Sequence, residues 1–180
     1  MGRFAAFLRG INVGGRRMTN ERLAGCFERI GLDEVATFRA SGNVVFSAAD
    51  GDVAELTVRI EQGLETALGY EVATFLRTKP QVLAIARHEP FDPKLLAASN
   101  GKLQVALLSR KPTAGARRKA LSHASEGDRL AIRAAELYWL PAGGMMDSEL
   151  DLDELAMILG PTTIRTKGTI EQIAAKHFAD

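Results

Sequence analysis

The sequence predicts an α+β protein made of two similar units, and two observations support this class. Strand-like apolar runs and helix-like apolar periodicities follow the same order in each half of the 180 residues. The closing segments of the halves, FLRTKPQVLAIA (75–86) and TIRTKGTIEQIA (163–174), also share Arg-Thr-Lys and a final Ile-Ala. Because both the order of elements and some residues repeat, an internal duplication explains the similarity of the halves better than chance does.

The first half begins with a strand, RFAAFLR (3–9), and continues into a helix that Asn20 can cap and that Gly31 ends. Two β-rich runs, VATFRA and NVVFSA, follow and are separated by Ser41-Gly42, which predicts a tight hairpin. A second helix, with leucine and isoleucine at four-residue spacing, ends near Gly69. The strand EVATFLRT and a short helix close this half.

The second half repeats the order with the strand KLQVALLS, a helix from Pro112, the strands DRLAIRA and ELYWLP, a helix across 149–159, the strand TTIRT and a last helix. Strand, helix, strand, strand, helix, strand is the ferredoxin-like βαββαβ unit. We therefore expect two duplicated ferredoxin-like units, each with an extra C-terminal helix. Right-handed crossovers place the first and third strands of such a unit side by side, so the end of strand one lies beside Asn43.

The boundary between the units is predicted from HEPFDPKLLAASNG (88–101), which carries two prolines and a Ser-Asn-Gly turn. The expected organisation is a first unit over 1–90, a linker over 91–101 and a second unit over 102–180.

Composition excludes several classes of protein. Lys and Arg number 23 against 22 Asp and Glu, so the overall charge gives no reason to expect nucleic acid or a membrane surface as partner. No stretch is long and apolar enough to span a membrane, and the apolar run before Arg9 is too short for a signal peptide. The single cysteine, Cys26, excludes an internal disulfide and a thiolate metal cluster. We predict a cytoplasmic protein.

The stretch LRGINVGG (8–15) is the strongest candidate for a binding loop. Gly10 and Gly15 have the spacing of a P-loop, but Arg16 and Arg17 stand where its Lys and Ser/Thr belong, which excludes a nucleoside triphosphatase. Two interpretations stay open. Either glycine N–H groups and arginine side chains hold an anion, or the glycines form a tight corner and the arginines are only solvated.

The stretch RASGNVVF (39–46) has the frame of an RNA-recognition signature. Ser41 and Asn43 occupy the positions whose aromatic rings would stack on bases, so the stretch does not favour ordinary RNA binding. These short polar residues fit ligand contacts and turn formation equally well. The predicted ligand-binding residues are Arg9, Gly10, Asn12, Gly14, Gly15, Arg16, Arg17, Ser41, Gly42 and Asn43.

The remaining candidates predict structure rather than chemistry. Three histidines lie far apart and share no short motif, so we predict no metal site and assign no catalytic residue or cofactor. The acidic run DSELDLDEL (147–155) resembles a metal site, but Ser148 with Asp151 makes a helix-capping box. Cys26 is predicted to be a small buried apolar residue.

The motifs LRGINVGG, SGNVVF and RTKGT together resemble the bacterial family called domain of unknown function 1697, and the resemblance spans nearly the whole chain. That family commonly has Arg-x-Trp-Asn-Thr where this chain has RTKGT (165–169), and Ser-Lys-Leu where it has Ser148-Glu149-Leu150. The changes remove an aromatic ring, an amide and a cation, so a ligand site at those positions would differ here. The resemblance implies a two-part α+β fold and no particular activity.

Two functions from different classes are consistent with these observations. The leading hypothesis is a module that binds a small anionic or phosphate-bearing ligand at the loop of the first unit. The alternative is a protein-interaction or nucleic-acid-binding module that uses the duplicated sheets. An enzyme with an unfamiliar site is a third possibility, and the oligomeric state is not predicted.

Overall fold

The computed structural model describes residues 1–40, 42–49 and 51–179. They form two compact units: unit 1 comprises Met1–Leu83 and the C-terminal residues from Ile173 onwards, and unit 2 comprises Ala84–Gln172. Residues 91–101, predicted as a linker, include a short helix. The boundaries 1–90, 91–101 and 102–180 stay a prediction from the sequence.

Unit 1 has the predicted order of elements. They are β1 (Gly2–Arg9), α1 (Asn20–Arg29), β2 (Asp33–Thr37), β3 (Asn43–Ala48), α2 (Val53–Leu68) and β4 (Ala73–Thr78). The next helix, α3 (Lys79–Arg87), begins in unit 1, and its residues from Ala84 belong to unit 2. The sheet order is β2-β3-β1-β4, and β1 pairs antiparallel with both β3 and β4. This is the ferredoxin-like arrangement, which confirms the prediction that the first and third strands are neighbours.

The core of unit 1 lies between this sheet and the helices α1 and α2. Alternate residues of β1 point into it, because successive side chains of a strand face opposite sides. Phe46 of β3 is at its centre, with ring centroids 5.6 Å from both Phe4 and Phe27. The fully buried residues of this core are Ala6, Phe27, Val44, Phe46, Ile60 and Leu64.

The helix ends of unit 1 follow capping chemistry, with one correction. Thr19 rather than Asn20 caps α1, since Thr19 is extended and its Oγ1 accepts the Arg22 N–H at 3.2 Å, whereas Asn20 is already helical. Asp52 caps α2, and Gly69 ends it with a left-handed φ of +81°, as the sequence predicts.

Unit 2 repeats the order with its own sheet. Its elements are α4 (Pro93–Ala98), β5 (Gln104–Leu108), α5 (Ala114–Leu121), β6 (Asp128–Arg133), β7 (Glu136–Pro141), a 3-10 turn at Met145–Asp147, α6 (Leu152–Leu159) and β8 (Thr162–Thr166). The last helix, α7 (Lys167–His177), begins in unit 2, and its residues from Ile173 onwards belong to unit 1. The sheet order β6-β7-β5-β8 matches that of unit 1 strand for strand. The protein is therefore an α+β protein of two similar ferredoxin-like units.

The acidic run before α6 has a structural role that corrects the predicted capping box. Asp151 alone caps α6, because its Oδ1 accepts the Glu154 N–H at 2.9 Å. Ser148 instead donates to Asp128 Oδ1 at 2.6 Å, and the same oxygen accepts the Trp139 indole N–H at 2.7 Å. Asp128 is thus the buried acceptor that fixes the turn before α6 to the sheet of unit 2.

Within the described part of the chain, no helix combines the length and the apolar character that crossing a membrane requires.

The lowered pKa values of two histidines make the stability of the fold depend on pH. Burial, together with Arg133 and Lys167, lowers the pKa of His88, and Arg133 Nη1 lies 3.0 Å from its Nδ1. Burial, Lys176 and Arg3 lower the pKa of His177. Each imidazole therefore takes up a proton more readily in the unfolded chain, and stability present above about pH 6.5 is lost as the pH falls below that value.

We expect the melting temperature to fall between about pH 7 and pH 5.5, and to fall less in a His88→Gln, His177→Gln double variant. Thermal unfolding followed by circular dichroism across this range measures the difference. Equal slopes for the two proteins would show that neither histidine is responsible.

Candidate functional site

The predicted meeting of the two glycine motifs is confirmed at one edge of unit 1. Phe7 of β1 lies opposite Asn43 of β3, and the Leu8 N–H donates to the Gly42 carbonyl at 2.8 Å. The loop that leaves β1 therefore begins beside the β2–β3 hairpin. Ser41, the remaining predicted residue of that hairpin, lies outside the described residues.

Apolar residues anchor both ends of the loop that follows β1, and Asn12 makes hydrogen bonds that stabilise it. Ile11 is only 4% exposed, and Met18 packs against the same core, so the exposed segment from 12 to 17 lies between two anchors. Asn12 Nδ2 donates to the Ala40 carbonyl at 3.1 Å, and its Oδ1 accepts the Met18 N–H at 2.8 Å. Asn12 therefore joins the start of the loop, its end and the hairpin.

The glycines of the loop are required by backbone conformation rather than by crowding. Gly10, Gly14 and Gly15 have φ values of +75°, +69° and +77°, and a Cβ on any of them would meet no atom within 4 Å. L-residues with a side chain rarely adopt such values. The backbone of the loop is therefore open to a ligand at these positions.

Gly42 differs from these glycines because its surroundings are crowded. Its φ is +71°, and a Cβ would lie 3.1 Å from both Leu8 Cβ and Ile11 Cγ2. Leu8 and Ile11, at the beginning of the loop, thus lie closer to Gly42 than most residues with a Cβ would allow.

Asn43 is placed to shape the hairpin. It is 1% exposed, its Nδ2 donates to the Phe38 carbonyl at 3.0 Å, and its backbone carbonyl accepts the Phe38 N–H at 3.0 Å. The structure therefore brings Asn43 next to the loop, with this amide N–H directed to the hairpin backbone.

The three arginines of the site have different surroundings. Arg16 and Arg17 are exposed on the loop, and the guanidinium carbon of Arg16 lies 3.8 Å from the centroid of the Tyr70 ring. Arg9 and Gly10 instead line a cavity of about 600 Å³ that also holds Glu61, Glu65 and Glu71. Arg9 therefore shares its surroundings with three acidic residues, whereas the side chains of Arg16 and Arg17 are exposed on the loop.

Tyr70 is a site residue that the sequence analysis missed. Its hydroxyl donates to the Ile11 carbonyl at 3.2 Å, while its ring supports Arg16. Nothing in the local pattern around Tyr70 indicates this, because Ile11 is 59 positions away in the chain. The carboxylates that line the cavity with Arg9 were missed for the same reason, since they come from α2 and from the connection between α2 and β4.

The arrangement can bind an anion. Two exposed guanidinium groups and a stretch of open glycine backbone supply charge-assisted N–H donors on a loop with fixed ends. Among the described residues, no group of three or more His, Cys, Asp or Glu side chains is placed to hold a metal ion.

The fold and the loop define a class: an α+β protein of two ferredoxin-like units whose first unit carries a glycine- and arginine-rich loop at a sheet edge. The chain belongs to the family described as "Protein of unknown function (DUF1697)", which matches residues 1–138. The matched part includes the whole loop and hairpin. It ends before Ser148–Leu150 and Arg165–Thr169.

Comparison with other proteins supports the fold. No curated protein matches the chain. A solved structure, "The structure of conserved bacterial protein SP0830 from Streptococcus pneumoniae", is similar with a TM-score of 0.69 and 20% identity. The similarity covers 98% of this chain and 99% of that one. At this identity the likeness shows a shared fold and no shared function.

Proposed function

We propose that unit 1 binds a small anionic, phosphate-bearing compound at the loop from Gly10 to Arg17. The observation that carries this proposal concerns the surroundings of the Arg16 and Arg17 side chains. Both are exposed, and neither side chain makes an ion pair or a hydrogen bond with any described residue. The loop between Gly10 and Thr19 contains no acidic residue that would compensate them.

The fixed ends of the loop support the proposal because ordering a loop on binding costs conformational entropy. Asn12, Ile11 and Met18 already hold the loop in unit 1. The ligand therefore meets donors whose positions are largely set, and more of the interaction energy appears as affinity.

The predicted residues take different roles in this proposal. Arg16, Arg17 and the N–H groups of Gly14 and Gly15 contact the anion. Asn12, Gly42 and Asn43 position the loop and the hairpin, as their hydrogen bonds and close contacts indicate. Arg9 and Gly10 form the border between the loop and the acidic cavity. Ser41 is retained as a contact residue from the sequence alone.

A thermal-shift screen tests the proposal. The probes are inorganic phosphate, pyrophosphate, ATP, glucose 6-phosphate and single-stranded DNA. We expect at least one phosphate compound to raise the melting temperature, since a ligand that binds only the folded state stabilises it by mass action. An Arg16→Ala, Arg17→Ala double variant is expected to lose this rise, because each lost charge-assisted contact costs about tenfold in affinity.

An Arg117→Ala, Arg118→Ala variant is the matched control. It removes the same two charges from an exposed face of α5 in unit 2 and is expected to keep the rise in melting temperature. An equal response of all three proteins would overturn the proposal. A response to single-stranded DNA only, falling steeply with salt, would favour the nucleic-acid-binding alternative instead.

The proposed location of this function is the cytoplasm. The only cysteine, Cys26, is a free thiol buried in the core of unit 1, as is usual in a reducing compartment.

A further inference from the structure

We infer that Tyr70 holds the flat guanidinium group of Arg16 in a fixed orientation. Arg16 therefore selects ligands that present two oxygens side by side to its parallel N–H donors, while Arg17 contributes only positive charge. This inference rests on the proposed function, because it names what the same loop recognises. It makes Tyr70 a positioning residue and Arg16 the residue that determines specificity.

The first step is the stack between the two side chains. The guanidinium carbon of Arg16 lies 3.8 Å above the centre of the Tyr70 ring, which is a contact distance. A stacked guanidinium uses its flat face, and its N–H donors lie in the plane of the group. The stack therefore fixes the orientation of Arg16 without consuming any donor.

The second step is the anchoring of Tyr70 itself. Tyr70 follows Gly69, the left-handed residue that ends α2, so the backbone on which it stands is fixed by the helix. Its hydroxyl donates to the carbonyl of the buried Ile11, at 3.2 Å. Tyr70 thus joins the end of α2 to the start of the binding loop, and it holds Arg16 in a fixed position relative to that loop.

The third step is the contrast with Arg17. Arg17 is exposed, and no ring contact, hydrogen bond or ion pair joins its side chain to a described residue. A guanidinium that moves freely acts mainly as a positive charge, and a lysine can supply the same charge. One that is held flat can pair both oxygens of a phosphate or carboxylate through parallel N–H bonds, which a lysine ammonium cannot do.

The inference therefore predicts different effects on affinity when Arg16 and Arg17 are each replaced by lysine. Binding of pyrophosphate, measured by isothermal titration calorimetry, is expected to weaken about tenfold in Arg16→Lys and less than about twofold in Arg17→Lys. Both variants keep the net charge, so the salt dependence of binding should not change. If Arg16→Lys weakens pyrophosphate binding while the dependence of affinity on salt concentration is unchanged, the cause is the lost geometry of the contact and not a lost charge.

Tyr70 is tested by a conservative and a disruptive replacement. Tyr70→Phe keeps the ring under Arg16 and should retain affinity within about threefold, whereas Tyr70→Leu removes the ring and should weaken binding about as much as Arg16→Lys. Melting temperatures of both variants check the fold. The exposed Arg16→Lys variant keeps the inference testable if Tyr70→Leu is unstable.

The outcomes separate this inference from the function on which it rests. If the Arg16→Ala, Arg17→Ala variant loses pyrophosphate binding but Arg16→Lys and a folded Tyr70→Leu bind like the wild type, the inference fails and the anion site stands. Equal losses of pyrophosphate affinity in Arg16→Lys and Arg17→Lys also overturn the inference. If the double alanine variant binds pyrophosphate as the wild type does, both the function and the inference fail.

Discussion

Replacing Gly42 with alanine is expected to lower the free energy of unfolding by about 2 to 5 kcal/mol, from two additive causes. The backbone of Gly42 has a φ of +71°, where a residue with a Cβ is strained by about 1 to 2 kcal/mol. The new methyl group would also lie 3.1 Å from Leu8 Cβ and Ile11 Cγ2, and relieving such overpacking costs about 1 to 3 kcal/mol. Urea denaturation followed by circular dichroism measures the loss.

Gly10 provides the matched control for this experiment. Its φ of +75° is nearly the same, but a Cβ there would meet no atom within 4 Å. Gly10→Ala should therefore show the backbone strain alone, about 1 to 2 kcal/mol. If the two variants lose equal stability, the close approach of β1 to the hairpin does not contribute. Since Ile11 anchors the binding loop in the core, Gly42→Ala should also weaken anion binding more than Gly10→Ala does.

Replacing Asp128 with alanine is expected to cost about 3 kcal/mol, because one change leaves two donors without their acceptor. Trp139 is 2% exposed, and its indole N–H would remain buried beside an apolar methyl group. The Ser148 hydroxyl would lose the contact that joins the turn before α6 to the sheet. Asp128→Asn keeps an oxygen at the same place and should lose less than half as much.

Fluorescence reports this change directly, because Trp139 is the only tryptophan of the chain. Asp128→Ala should shift the emission of the folded protein and lower its urea midpoint, whereas Asp128→Asn should change both less. A midpoint for Asp128→Ala within experimental error of the wild type would contradict the role of Asp128 as the shared acceptor.

The sequence predicts features that local chemistry and chain order determine. The duplicated order of elements identifies the ferredoxin-like units, and the order alone implies that β1 and β3 are neighbours. Gly69 ends α2 because a left-handed residue is needed at that point. Capping is predicted less well, since Asn20 is the better capping residue type of the two neighbours but only Thr19 has the extended backbone that a cap requires.

Contacts between distant segments explain what the sequence does not predict. Tyr70 supports Arg16 only because the end of α2 lies beside the start of the loop, and no local pattern encodes that. Arg9 looks equivalent to Arg16 in the sequence, yet the fold places it at a cavity that is also lined by carboxylates from α2 and from the connection between α2 and β4. Asn43 looks like a free amide in the sequence, while the hairpin directs its N–H to Phe38.

The most direct test of the anion site is a titration of the ¹⁵N-labelled protein with pyrophosphate, followed through its backbone amide resonances. We predict saturable shifts at Gly14, Gly15, Arg16 and Arg17, with little change in unit 2, and their loss in the Arg16→Ala, Arg17→Ala variant. Shifts confined to other residues, or none at saturating pyrophosphate, would contradict the account, and the loop would then be only a tight corner after β1.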